Sequence, residues 1–235
     1  MILPAAKLFR QRRGCYNARM NAASLKLVHY PHPALRRPAR PITAIDKDVQ
    51  AAAERMLEIM YEHNGLGLAA PQVSWPFQMT VINPIGDPEQ KEHELVLINP
   101  VILEKKGTIE GEEGCLSFPG LFQKVRRAKT VKVTAYNLRG EAIEIASASD
   151  LHSRLLQHEI DHLHGTLYID KMGTLAKLSS RSALRELEVT YRKAQERGEI
   201  PPNAEIERML KAMEEGTSNG TPPPSTPPPT QPPIM

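Results

Sequence analysis

Residues 157–162 read Gln157-His158-Glu159-Ile160-Asp161-His162. Two histidines four apart fall on one helix face, one turn from each other, where both imidazoles reach a single cation. A glutamate directly after the first histidine sits beside that cation and can take a proton from bound water. The same letters also arise on an ordinary polar helix face, so the string needs support from elsewhere in the chain.

Two other stretches carry chemistry. Gly65-Leu66-Gly67-Leu68-Ala69-Ala70-Pro71-Gln72 is a run of small residues ending in an amide donor. Such a run lets the backbone approach a neighbour closely, and a tight turn between a helix and a strand reads equally well. It is not a phosphate loop, because no helix is expected after it and no lysine lies nearby. Glu112-Glu113-Gly114-Cys115-Leu116-Ser117 places a lone cysteine in a polar, glycine-flanked loop, a poor position for a core thiol. A thiolate is stabilised next to a cation, so a metal would explain it.

These groups need a frame. Val49, Ala53, Met56, Leu57 and Met60 follow a 3.6-residue period over 47–63, which predicts a helix stopped at Asn64-Gly65. Residues 77–84 and 94–103 read as strands. The segment 130–147 alternates on both sides of Asn137-Leu138-Arg139-Gly140, the pattern of a hairpin. A helix begins at the Ser-Ala-Ser-Asp cap signal near Asp150, carries the histidine string and ends at Gly165. Helices over about 174–197 and 203–215 follow. Strands first and the histidine helix after them predict an α+β fold.

In that order, GLGLAAPQ, EGCLS and QHEIDHLHG resemble the three signature motifs of the peptide deformylase family, without a departure at the defining letters. LVHYPHPALRRPARPI, residues 27–42, resembles the family's N-terminus, and the resemblance spans roughly residues 25–172. It implies antiparallel sheets around a central helix, and a metal held by Cys115, His158 and His162 with an open fourth position, the catalytic arrangement. The implied reaction removes the formyl group from the N-terminal formyl-methionine of new polypeptides and releases formate. Glu159 would move the proton. The Gln72 amide and the Leu116 backbone N–H would hold the oxyanion, and Gly67 would pair with the peptide as an added strand. The family's metal is Fe(II), and Zn(II), Ni(II) or Co(II) suit the same ligands.

Glu113 and Asp161 are expected to support the ligands or line the substrate loop, and Arg127 either pairs with one of them or is surface charge. Leu151 and Leu155 precede His158 on its own face and are candidate pocket walls or ordinary core. His164 reads as a surface or capping histidine, and His29, His32, His63, His93 and His152 read as structural. The basic residues of 174–197, among them Arg181, Arg185 and Arg192, suit either ribosome docking or a solvated helix face. A metallopeptidase would need a further ligand downstream of Gly165, where Asp170 is the nearest acid. A structural metal site would need a closed fourth ligand and would leave Glu159 without a role.

Composition bounds these readings. The chain has 235 residues, 40% hydrophobic, 24% charged and only 5% aromatic, so one largely aliphatic core is expected. A net charge of +3 gives no ground for a nucleic-acid partner by itself. Two cysteines, Cys15 and Cys115, point to a reducing compartment rather than a disulfide framework. Residues 1–24 are basic and acid-free, which reads as a start assigned too early or an organelle transit peptide. The expected location is a bacterial-type cytoplasm. The expected organisation is this extension, a catalytic domain over 25–172, helices over 173–216, and a Pro-rich tail over 217–235 that cannot bury a core.

Overall fold

The computed structural model describes residues 22–216. Most of the basic extension, with Cys15, and the Pro-rich tail lie outside the described residues.

Helix α1 (Lys47–Glu62) starts where the Asp46 carboxylate accepts the N–H groups of Asp48 and Val49, both at 3.0 Å. Its buried face is Val49, Ala52, Ala53, Met56, Ile59 and Met60, the periodic set expected, and it ends before Asn64 at φ +55°. The chain then enters a five-stranded antiparallel sheet of spatial order β1-β2-β3-β6-β7. The strands are β1 (Gly67–Ala69), β2 (Met79–Ile82), β3 (Leu95–Lys106), β6 (Thr130–Tyr136) and β7 (Ala142–Ala146). The β6–β7 hairpin turns at Asn137–Gly140, where Gly140 adopts φ +75°.

Strand β1 was not expected: its three residues lie within the glycine run, and a single 3-10 turn over Ala70–Val73 follows it. A two-stranded ribbon of β4 (Ile109–Glu113) and β5 (Gln123–Arg127) was also not expected. Its strands are rich in charge and glycine, so they lack the apolar alternation that marks a strand in sequence. The loop joining them carries Cys115.

Helix α2 (Asp150–Leu163) holds the histidine string. Ser149 caps it by accepting the His152 N–H at 3.1 Å. Gly165, at φ +67°, ends it, and a Cβ there would lie 2.5 Å from the Arg36 carbonyl oxygen, so only glycine fits. The helix packs against β1, β2 and β6. Apolar clusters fill both sides of the sheet: Met56, Met60, Leu68 and Met79 toward α1, and Ile82, Leu97, Val133, Leu156 and Ile160 toward α2.

The single helix expected over 174–197 is two, α3 (Thr174–Ser179) and α4 (Arg181–Glu196). They meet at Ser180, which is buried and turns its hydroxyl toward Met172 Sδ at 3.7 Å. Helix α5 (Asn203–Gly216) folds back and buries Ile206 and Leu210 against Ala34. Among the described residues no helix is long and apolar enough to cross a membrane.

His32 sits under α4, edge-on to Tyr191 at 6.2 Å, and its Nδ1 accepts the Ala34 N–H. Burial lowers its pKa from the ordinary 6.5 to about 4. The unfolded chain therefore binds the proton first, and stability that is complete above pH 6.5 is lost as pH falls toward 4. Thermal melts should show this: between pH 7 and 5 the wild type loses roughly 2 kcal/mol more than His32→Asn, which keeps an acceptor without the titration. Parallel melting curves for the two chains would refute the assignment.

Candidate metal centre

Helix α2 is enclosed on nearly every side, yet it carries Ser153, Arg154, Gln157, His158, Glu159 and His162 as buried residues. Buried polar groups need partners. Gln157 anchors the helix to Ala128: its Oε1 accepts the Ala128 N–H at 3.1 Å and its Nε2 donates to the Ala128 carbonyl at 3.0 Å. Ser153 Oγ donates to the same carbonyl at 2.9 Å. These bonds fix the rotation of α2 and so the direction of its histidines.

His158 Nδ1 lies 3.0 Å from Glu113 Oε2. A proton shared there leaves the Nε2 lone pair facing His162 and Cys115. Glu113 is a hub. Its carboxylate also accepts from Arg127 Nε at 2.7 Å, Arg127 Nη2 at 2.9 Å and Arg154 Nη1 at 2.7 Å. Burial alone would raise the Glu113 pKa, but the hydrogen bonds from Arg127 and His158 outweigh it and hold the group well below the ordinary carboxylate range. Arg127 is buried and also donates to Asp161, so it is not surface charge. Arg154, which the sequence reading did not single out, additionally donates to the Val125 carbonyl at 3.0 Å and ties α2 to β5.

Cys115, His158 and His162 offer one ligand atom each, all within 4.8 Å of one another. His162 Nε2 is 3.4 Å from Cys115 Sγ. Burial, with the Arg127 charge adding to it, lowers the His162 pKa well below its ordinary value, which favours the neutral imidazole. The donor set fits a borderline-soft divalent metal, and lone pairs of one sulfur and two nitrogens converging in a buried space are compensated by a cation between them.

The Cys115 loop is held by its own fold. Phe118 N–H donates to the Cys115 carbonyl at 2.9 Å, and the Phe118 ring is buried. Gln72 is buried too. Its Oε1 accepts the Ala69 N–H at 2.8 Å, so Nε2 must point the other way, 3.4 Å from Cys115 Sγ and 3.3 Å from Ser117 Oγ. Glu159 is buried beside them, and desolvation raises its pKa to about 7; Glu113 adds to this, while His158 and Arg127 oppose it. Among the described residues its Oε2 has no hydrogen-bond partner, and neither has His162 Nδ1. A Cβ on Gly67 would lie 2.6 Å from Glu159 Oε1, so one close approach that the glycine run permits is to the chain's own glutamate.

All this opens into a cleft of about 590 Å³ lined by Gly67, Gln72, Cys115, Leu116, His158 and Glu159. Glu113, Arg154, Leu151, Leu155 and Phe122 line another part of it. Leu155 is buried, whereas Leu151 and Phe122 are exposed at the mouth. Two histidines read as structural, His29 and His63, also line the cleft; nothing in their sequence surroundings signalled this, because they come from separate segments. His164 is a capping residue, as expected, with Nδ1 2.9 Å from the Ile160 carbonyl oxygen. Asp170 forms a two-point pair with Arg36 and accepts the Leu167 N–H, which commits both of its oxygens to partners other than Cys115, His158 and His162.

The hub predicts a measurable effect. Glu113→Gln keeps the size but removes the charge that Arg127, Arg154 and His158 share. Metal retention in competition with a chelator should weaken about 10- to 100-fold, and retention equal to the wild type would contradict the role assigned to Glu113.

The comparisons with known proteins agree with the geometry. The family model described as polypeptide deformylase matches residues 24–178. A peptide deformylase from Rhodopirellula baltica is 38% identical over 198 residues, 84% of this chain and 97% of that one. A relative from Arabidopsis thaliana, named chloroplastic/mitochondrial, is 38% identical over 188 residues, 80% of this chain and 67% of its own length. Among solved structures, the Plasmodium falciparum peptide deformylase superposes with a TM-score of 0.69 at 40% identity, covering 72% of this chain and 98% of that one. The three motifs, the mixed helix and antiparallel-sheet architecture that gathers them, and a family match over most of the chain lead to one assignment: this protein belongs to the polypeptide deformylase family, metal-dependent hydrolases that remove formyl groups.

Proposed function

We propose that the protein hydrolyses the formyl group from the N-terminal formyl-methionine of new polypeptides, using one divalent metal held by Cys115, His158 and His162. The observation that carries this reading is the convergence of those three side chains beside a cleft that Cys115 and His158 line together with Glu159 and Gln72. Family membership and the Cys/His/His donor set support Fe(II) as the metal in the cell, with Zn(II), Ni(II) or Co(II) able to substitute. Bound there, the metal supplies Lewis acidity that polarises the formyl carbonyl and makes hydroxide available near neutral pH.

The chain's own residues do the rest. Glu159 takes a proton from the attacking water and delivers it to the amine nitrogen as the C–N bond breaks, leaving formate and a free N-terminus. The Gln72 amide, aimed by its bond from Ala69, and the Leu116 N–H stabilise the oxyanion. Among the described residues strand β1 is at the edge of the sheet and pairs with β2 alone, which supports addition of the substrate backbone along Gly67. Leu151, Leu155 and Phe122 are apolar walls for the methionine side chain, with the aliphatic part of Arg154 beside them. Glu113 meets this pocket but acts chiefly by orienting His158. Residues 25–172 form the catalytic unit in this reading, and 173–216 a helical addition. A cytoplasmic location remains the proposal, and organelle targeting by residues 1–24 the alternative.

Exposed Arg181, Arg185, Arg192 and Lys193 on α4 support docking on ribosomal RNA, although Glu186, Glu188 and Glu196 interrupt the charge. Co-sedimentation with ribosomes at low salt, weakening as salt rises, is the expected result, and its absence at low salt would remove this part of the reading.

The central test is formate release from a formyl-Met peptide by anaerobically purified protein with its metal counted. Wild type should release formate with one metal per chain. Glu159→Ala should retain the metal and lose roughly 10²- to 10⁴-fold in kcat. Gly67→Ala, whose methyl group would displace the Glu159 carboxyl, should also lose kcat while keeping the metal. A metal-loaded wild type that releases no formate would end the deformylase reading.

A further inference from the structure

The segment Val28–Ala39 touches the backbone of all three motifs. Val28 N–H donates to the Gln72 carbonyl at 2.8 Å, Tyr30 N–H to the Ser117 carbonyl at 2.9 Å, and Ala39 N–H to the Leu163 carbonyl at 2.8 Å. Gly165, at the end of the third motif, lies directly against the Arg36 carbonyl. This strap is in turn gripped by the C-terminal helices. Val28 and Tyr30 pack in one apolar cluster with Leu184 and Leu187 of α4, Ala34 is buried against Ile206 and Leu210 of α5, and Arg37 forms a two-point pair with Glu214.

Tyr30 is the joint. Its hydroxyl donates to Glu188 Oε1 on α4 at 3.1 Å. Its ring stacks on Phe118 at 5.0 Å and 24°. Phe118 meets Tyr168 edge-on at 5.3 Å, and the Tyr168 ring lies 5.9 Å from that of His158. The far end of the same loop is closed by Tyr168 Oη donating to the Leu121 carbonyl at 2.9 Å. A chain of contacting rings therefore runs from the outer helix to a metal ligand, and the loop carrying Cys115 hangs from its middle. Packed rings transmit displacement because interiors have little free volume.

We propose that Tyr30 and Glu188 are positioning residues for the metal site: the hydrogen bond between them fixes the Tyr30 ring, and through Phe118 and Tyr168 it sets Cys115 and His158 at their mutual distance. Neither residue is among those that line the cleft. Helix α4 is thereby mechanically coupled to catalysis.

The experiment uses the full chain loaded anaerobically with Co(II), whose visible absorption reports the geometry of a thiolate–imidazole ligand set. Tyr30→Phe removes one oxygen and keeps the ring. It should shift the cobalt bands, speed metal release to a chelator about three- to five-fold, and lower kcat by a similar factor with KM unchanged. Glu188→Ala should behave alike, the double variant should add nothing further, and Glu188→Gln, which retains an acceptor, should restore the wild-type spectrum. A merely structural contact would lower the melting temperature without moving the cobalt bands. Tyr30→Phe with wild-type bands and release rate overturns the proposal, whatever its stability. The proposal rests on the metal-site reading above. A wild type that binds no cobalt sinks both; a wild type that binds cobalt and releases formate beside an indistinguishable Tyr30→Phe sinks this one alone.

Discussion

The buried Glu113 carboxylate is the interaction on which the rest of the site depends. It accepts from Arg127, Arg154 and His158. Those three residues belong to β5 and α2, and Glu113 itself ends β4 two residues before Cys115. One carboxylate thus joins the loop that carries Cys115 to the helix that carries His158 and His162. Removing one partner from a buried ionic cluster leaves the others uncompensated, at a typical cost of about 3–5 kcal/mol. The arrangement therefore tolerates little independent movement of its two halves.

The same economy governs α2. A helix of this composition would ordinarily sit on a surface. Here Gln157 and Ser153 satisfy the exposed backbone of Ala128, Arg154 satisfies Glu113 and the Val125 carbonyl, and the helix can be enclosed without stranding most of its polar groups. Among the described residues, the buried polar atoms left without partners are His152 Nε2, His162 Nδ1 and Glu159 Oε2, and of these three residues Glu159 lines the cleft where the chemistry is proposed. Local rules are broken where function is placed, and the enclosing network makes this affordable.

Regular elements were legible where their physics is local. The α1 face, the α2 caps at Ser149 and Gly165, and the β6–β7 hairpin follow from periodicity and turn chemistry alone. Elements formed by pairing were not. Strand β1 is three residues long and exists because β2 lies beside it, and the β4–β5 ribbon is rich in charged residues, of which Glu113 and Arg127 find partners on α2 while Arg126 pairs with Glu110 within the ribbon. The break at Ser180 was hidden because the helical pattern continues across it, and the inward turn of its hydroxyl depends on Met172.

For the site, the sequence by itself singled out His158 and His162 by their spacing and Cys115 by its polar, glycine-flanked loop, because these are local properties of the chain, and the resemblance of three motifs implied that they act together. It also supplied Glu159 and the small residues that Gly67 must match. Only the tertiary structure decided that Arg127 is buried, that Arg154 shares Glu113, and that His29 and His63 reach the same cleft. It alone showed that the strap from Val28 to Ala39 binds the backbone of every motif. These relations link residues tens to more than a hundred positions apart. No spacing encodes them; they arise when enclosed polar groups and packed rings must find partners in a shared interior.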